Sequence, residues 1–108
     1  MGDGPMTDWS DLSSTKRDLL IAIGAVNQDS DRRSSGTEVI SELRRRYGYE
    51  GRQENYYVAL TDLADRGLVD KDATALDRRV IRYELTPAAL RLINQHRDDV
   101  DDSVRVLA

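Results

Sequence analysis

The 108-residue sequence predicts one mainly helical α+β domain with three helices, a small two-stranded β-unit and an additional C-terminal helix. Three observations carry this reading. Between Gln53 and Gly67, the apolar positions Tyr57, Leu60, Leu63 and Ala64 recur at three and four residues, the period of one buried helix stripe. Gly67 is the residue type that closes a helix in the left-handed conformation, and Leu68-Val69-Asp70-Lys71 after it reads as a short strand. From Arg79 to Leu85 the chain alternates, with Ile81, Tyr83 and Leu85 on one side and Arg82 and Glu84 on the other, the period of a half-buried strand.

The remaining elements follow in order. Residues 1–10 form a flexible N-terminal segment, Gly-rich and patternless through Met6, with Trp9 and Leu12 leading into the first helix. Thr15 with Asp18 fits a capping box, and Leu19, Leu20, Ile23 and Val26 supply the buried stripe. Asn27 to Ser34 is a polar loop. Ser35 with Glu38 forms a second capping box ahead of Val39, Ile40 and Leu43, and Gly48 stops that helix after Tyr47. Tyr49, Glu50 and Gly51 turn the chain into the next helix. Asp72 to Arg78 is long enough for a flexible wing between the two strands. Thr86 caps the last helix, with Pro87 at its first turn, where a missing N–H costs nothing. That helix runs through Leu90, Ile93 and Val100 towards Val104 and Leu107. Residues 11–86 thus form the main domain and 87–108 a C-terminal helix and tail.

Composition narrows the function. With 39% apolar residues but no Phe and one Trp, the core is aliphatic. No apolar run approaches a membrane span and no apolar leader is visible, so the expected location is the cytoplasm. Zero cysteines exclude disulfides and thiolate metal sites. The net charge is −4, with fifteen Asp against five Glu and fourteen Arg against two Lys. That skew fits a surface of short hydrated carboxylates suited to molar salt, as in halophilic archaea. There is no Gly-rich phosphate loop and no His partnered with Ser or Cys, so no enzyme is predicted and no cofactor is implied. His96, beside Asp98, Asp99, Asp101 and Asp102, offers groups for a hard metal such as manganese, but a paired or solvated histidine accounts for it better, and no metal site is assigned.

A helix burying Tyr57, Leu60 and Leu63 presents Asn55, Tyr56, Ala59 and Asp62 outward, with Arg52 and Gln53 at its N-terminal end. Arg suits guanine O6 and N7, and Gln or Asn suits adenine, so the expected partner is double-stranded DNA. A solvated helix face is the plainer reading. Arg44, Arg45 and Arg46 lie in a last helical turn, where they either contact phosphate or complement the helix dipole. Arg78, Arg79 and Arg82 lie in or beside the wing and suit backbone or minor-groove contact, though Glu84 equally suits pairing with Arg82. Ile93, Val100 and Leu107 are spaced by seven, with Leu90 and Val104 nearby, an apolar seam that a second copy would cover. Trp9 and Leu12 are candidates to join this dimer seam; packing on the helix's own domain is the alternative. Salt cations are expected between facing carboxylates and phosphates.

The order helix, helix, helix, strand, wing, strand, helix is the winged helix-turn-helix plan. Tyr57-x-x-Leu60-x-x-Leu63-x-x-x-Gly67-Leu68-Val69 resembles the recognition-helix signature of PadR-like transcription regulators, and Tyr83-Glu84-Leu85-Thr86 resembles their second wing strand entering the C-terminal helix. The likeness spans residues 12 to 97. With the Asp and Arg skew it points to PadR-like regulators of haloarchaeal type, among them one associated with the response to reactive oxygen species. It implies a homodimer on a pseudo-palindromic operator. The rival is a winged-helix module that binds protein instead of DNA, which the net negative charge favours.

Overall fold

The computed structural model describes residues 7–29, 34–72 and 81–107, with side chains described outside 29 and 103–107. The elements are α1 (Ser14–Asp29), β1 (Ser34–Ser35), α2 (Gly36–Tyr47), α3 (Gln53–Asp65), β2 (Val69–Asp72), β3 (Arg82–Leu85) and α4 (Pro87–Leu107). A 3₁₀ turn, Trp9–Asp11, precedes α1.

The predicted two-stranded unit is a three-stranded antiparallel sheet ordered β1-β3-β2. β2 and β3 pair as expected, Val69 opposite Leu85 and Asp72 opposite Arg82. The strand that the sequence hides is β1, whose Ser34 and Ser35 face Tyr83 and Arg82. Two serines carry no strand pattern, but Ser34 is fully buried and its Oγ accepts from Asn27 Nδ2 at 2.9 Å, which ties the end of α1 to the sheet. The apex of the predicted wing, with Arg78 and Arg79, lies outside the described residues, as do Met1 to Met6.

Packing of α1 against α2, α3 and β3 makes the core. Leu19, Leu20 and Ile23 from α1, Val39, Ile40 and Leu43 from α2, Leu60 and Leu63 from α3, and Tyr83 from β3 are all buried. The predicted start of α1 shifts. Ser13 is the cap, its Oγ accepting from Lys16 N at 3.3 Å, and Thr15 lies inside the helix. Asp18 instead accepts the Tyr49 hydroxyl at 2.7 Å across the fold, so the residue read as half of a capping box is a tertiary anchor. The Ser35 and Glu38 capping box of α2 forms as read, and Gly48 closes that helix at φ 76°.

α3 ends on a doubly bonded turn. Gly67 at φ 76° donates to Ala64 O and Leu68 N donates to Leu63 O, both at 3.0 Å, the arrangement that satisfies the last carbonyls and turns the chain into β2. Thr86 joins this turn to α4. Its hydroxyl donates to Gly67 O at 2.7 Å and accepts from Ala89 N at 3.3 Å, while its own N–H donates to Leu68 O at 3.2 Å.

α4 begins on its own domain, with Ala89 buried and Ile93 half-buried against the core. Trp9 stacks on His96, ring centroids 4.6 Å apart, so both residues are engaged within the chain. Leu12 is 3% exposed and belongs to the domain core. Its predicted place in a dimer seam is thereby overturned: the turn after Trp9 points it inward.

Thr86→Val removes the cap of α4 and its bond to the end of α3 while keeping the side-chain shape. The expected loss is about 1–2 kcal/mol of stability. Urea unfolding should show a lower midpoint at unchanged slope, and Thr86→Ser should recover most of it.

Candidate nucleic-acid interface

α2 and α3 are held at a fixed angle by three tyrosines and one arginine. Tyr56 is 3% exposed, and its hydroxyl accepts the Gly51 N–H at 2.7 Å. Tyr49 meets the Tyr56 ring edge-on, centroids 6.0 Å apart, and Tyr47 meets Tyr49 in the same way at 6.3 Å. Arg44 lies over the Tyr56 ring at 5.7 Å and donates to Gly51 O at 3.1 Å. Burial pushes the Tyr49 hydroxyl above its usual pKa, and its bond to the Asp18 carboxylate pushes the same way.

This cluster corrects the predicted orientation of α3. Tyr56 and Ala59 are buried beside Leu60 and Leu63, and Tyr57 is the half-buried residue at the edge of the stripe. Tyr56 is therefore not an outward reader. Tyr57 packs against the start of α2, where a Cβ at Gly36 would lie 2.5 Å from its ring, so a side chain there would displace it. The helix is turned by about one residue position because its N-terminal anchor is the Tyr56 hydroxyl, a polar contact that apolar periodicity does not register.

With that rotation, the outward face of α3 carries Glu54, Asn55, Val58, Thr61 and Asp65, all exposed, with Gln53 on one shoulder and Asp62 on the other. Arg52, the residue before the helix, is exposed too. Gln53 Nε2 donates to the Tyr57 hydroxyl at 3.3 Å, a long bond at the surface. Asp62 accepts from Lys16 at 2.8 Å and from Arg66 at 2.7 Å; these two cations, Lys16 foremost, hold its carboxyl below the usual range. A surface concavity of about 520 Å³ lies between this helix and the start of α1, lined by Lys16, Asn55, Val58 and Asp62 among others.

Val58 and Thr61 were missed by sequence reasoning. The available signal was angular: Val58 lies two residues before Leu60, about 200° around the helix from a fully buried position.

The predicted cations divide. Arg45 and Arg46 both engage Glu42, at 2.7 and 3.1 Å, and the Arg45 hydrogen bond chiefly holds the Glu42 carboxyl low. Arg44 braces the turn. Arg82 is half-buried in β3 opposite Asp72, near a concavity of about 440 Å³ that it lines with Ser35, Thr37 and Tyr57. On the last helix, Leu90 and Val100 are 49% and 44% exposed, while the side chains of Val104 and Leu107 lie outside the described residues. No group of three or more metal-ligating side chains occurs among the described residues, and no described helix is long and apolar enough to cross a membrane.

Two packed helices joined by a short turn, followed by a β-hairpin that returns beneath the first helix, define a winged helix-turn-helix fold, extended here by α4. Solved structures of that class superpose on the chain. RosR of H. salinarum is 29% identical, covering 93% of this chain and 77% of that one at a TM-score of 0.59. The hsRosR-SG complex is 26% identical, covering 89% and 80% at 0.70. A point mutant of MepR from S. aureus, 17% identical, covers 91% and 65% at 0.71 and bears on the fold alone. No protein-family model and no curated protein sequence matches the chain.

Proposed function

We propose that this protein is a transcription regulator that binds double-stranded DNA as a homodimer, placing one α3 in the major groove of each half of a pseudo-palindromic operator. The observation that carries the reading is the exposed start of α3, where Arg52, Gln53 and Asn55 stand on a rigid helix-turn-helix frame. The likeness to RosR, at 26 to 29% identity over most of both chains, supports it. The PadR-like wording of the recognition motif and the haloarchaeal Asp and Arg skew belong to the same reading, as does a role in a stress response. Arg44 to Arg46, Arg82, and Arg78 and Arg79 of the wing are the phosphate contacts in this proposal. Arg45 and Arg46 then share their guanidinium groups between Glu42 and the backbone.

In this reading the dimer forms through α4, with Leu90 and Val100 as its described apolar positions and Val104 and Leu107 continuing the seam. Ile93 and Trp9 support α4 from within the chain.

Replacing Gln53 or Asn55 with Ala should relax base preference at one or two operator positions, each by about 1–3 kcal/mol. A binding-site selection in which both variants keep the wild-type preference removes them from the readers. The choice between DNA and a protein partner rests on the same selection: enrichment of no sequence by the wild type favours the protein-binding module.

Val100→Asp places a carboxylate in the proposed seam at a position already exposed in the single chain. Sedimentation should show a shift from dimer to monomer with the fold intact. An unchanged mass would put the interface elsewhere.

Salt tests the electrostatic part. The chain carries a net charge of −4, so in dilute buffer it is repelled by DNA, whereas at 1 M salt the Debye length is only about 3 Å and the Arg groups act locally. Cations drawn between facing carboxylates and phosphates oppose the usual counterion release. Affinity for an operator duplex is expected to fall far less steeply than the common slope of about −0.9 per neutralised phosphate. A steep, monotonic loss between about 0.2 and 2 M potassium chloride would exclude cation uptake.

A further inference from the structure

Val58 is 70% exposed, against 40% for Tyr47, 49% for Leu90 and 44% for Val100, the other exposed large apolar residues described. Single surface valines are ordinary and by themselves mean little. The position of this one is what counts. It stands in the middle of the outward face of α3, between Glu54 and Asn55 one turn before it and Thr61 and Asp62 one turn after, with Asp65 two turns on. A β-branched residue there lowers helix propensity, and with most of its surface in solvent it adds little to the core in return.

We infer that Val58 is a specificity-determining residue that packs against the C5-methyl group of one thymine in each half-site. The inference rests on the DNA-binding reading above and names a contact of that same face. Three points support it. The thymine methyl is the one apolar projection that the four bases present in the major groove, so an apolar reader on α3 has a single complementary feature to meet. Valine in a helix holds nearly one rotamer, so its two methyls are already placed and little side-chain entropy is lost on contact. Finally, Asn55 lies three residues earlier, about 4.5 Å along the helix axis, comparable with the roughly 3.4 Å rise of one base pair. Asn55 on an adenine would therefore place Val58 over the same or the adjoining pair. Asp62, one turn further on, is drawn to Lys16 and Arg66, while Glu54, one turn before, is exposed on the same face.

The test uses the full chain and an operator duplex obtained by binding-site selection, in which each thymine is replaced singly by deoxyuridine. This removes the C5-methyl and nothing else. Wild type should lose about fourfold in affinity at one thymine per half-site, the loss expected for one buried methyl-sized group. Val58→Ala should bind the unmodified duplex more weakly by a similar factor and become indifferent to uridine at that one position, while Val58→Ile keeps the wild-type pattern. Ala is the better helix former, so circular dichroism should show an intact fold. Equal thymine-to-uridine ratios for wild type and Val58→Ala overturn the inference while leaving DNA binding in place. Failure of the wild type to select any sequence overturns both.

Discussion

The hydrogen bond from the Gly51 N–H to the buried Tyr56 hydroxyl decides how the rest of the surface is arranged. A phenol taken out of water needs a polar partner, and here the partner is the backbone of the turn entering its own helix. The turn is thereby pulled onto α3, Arg44 closes over the ring, and Tyr49 reaches α1 through Asp18. One residue fixes the rotation of α3 about its axis and its angle to α2. Everything the helix presents outward, from Asn55 to Asp65, follows from that rotation.

The opposite end of α3 is fixed by a second polar knot. Gly67 adopts a backbone conformation that a side chain resists, and the carbonyl it exposes is taken by the Thr86 hydroxyl. Because the same hydroxyl caps α4, the helix proposed to carry the dimer seam is oriented against the helix proposed to face DNA by a few short bonds instead of by a flexible linker. In a two-fold assembly built through α4, the separation of the two α3 helices would be set at this junction. Trp9 on His96 steadies the next two turns of α4 from the other side.

Most of this architecture is legible in the sequence because it is written in apolar period and in glycine. The stripe of α1 through Leu19, Leu20 and Ile23, though not its predicted last member Val26, which is only half-buried, the stripe of α2, the stop at Gly48, the exit at Gly67 and the alternation of β3 appear at the residues that the patterns indicate. What periodicity misses is polar. Ser34 and Ser35 form a strand because Asn27 and β3 satisfy them, and Asp18 serves Tyr49 instead of a cap. Tyr56 and Tyr57 flank the same Leu60 and Leu63 stripe, so the pattern accepts either as its third member, and only the bond to Gly51 chooses between them. The misplacement of Leu12 has a related origin. An apolar residue ahead of a helix looks available to a partner until the turn that buries it is known.

In two clusters on the helix-turn-helix surface, the charges are engaged with one another. Lys16 and Arg66 share Asp62, and Arg45 and Arg46 share Glu42, each pair within 3.1 Å. Partly exposed pairs of this kind at the surface contribute little to stability, so exchanging a carboxylate partner for a phosphate costs the fold little. The exchange also gains little, since one anion replaces another and the displaced carboxylate remains charged beside the duplex. Glu42, held low by Arg45, stays an anion across the neutral range and competes with any phosphate for the same guanidinium groups. A surface built this way derives limited affinity from bulk attraction. In the proposed DNA complex, discrimination then falls to groups whose contacts do not depend on net charge: the amides of Gln53 and Asn55, and the methyls of Val58. Those groups sit together on the one face that Tyr56 turns outward, where salt that weakens long-range attraction leaves hydrogen-bond and apolar complementarity largely intact.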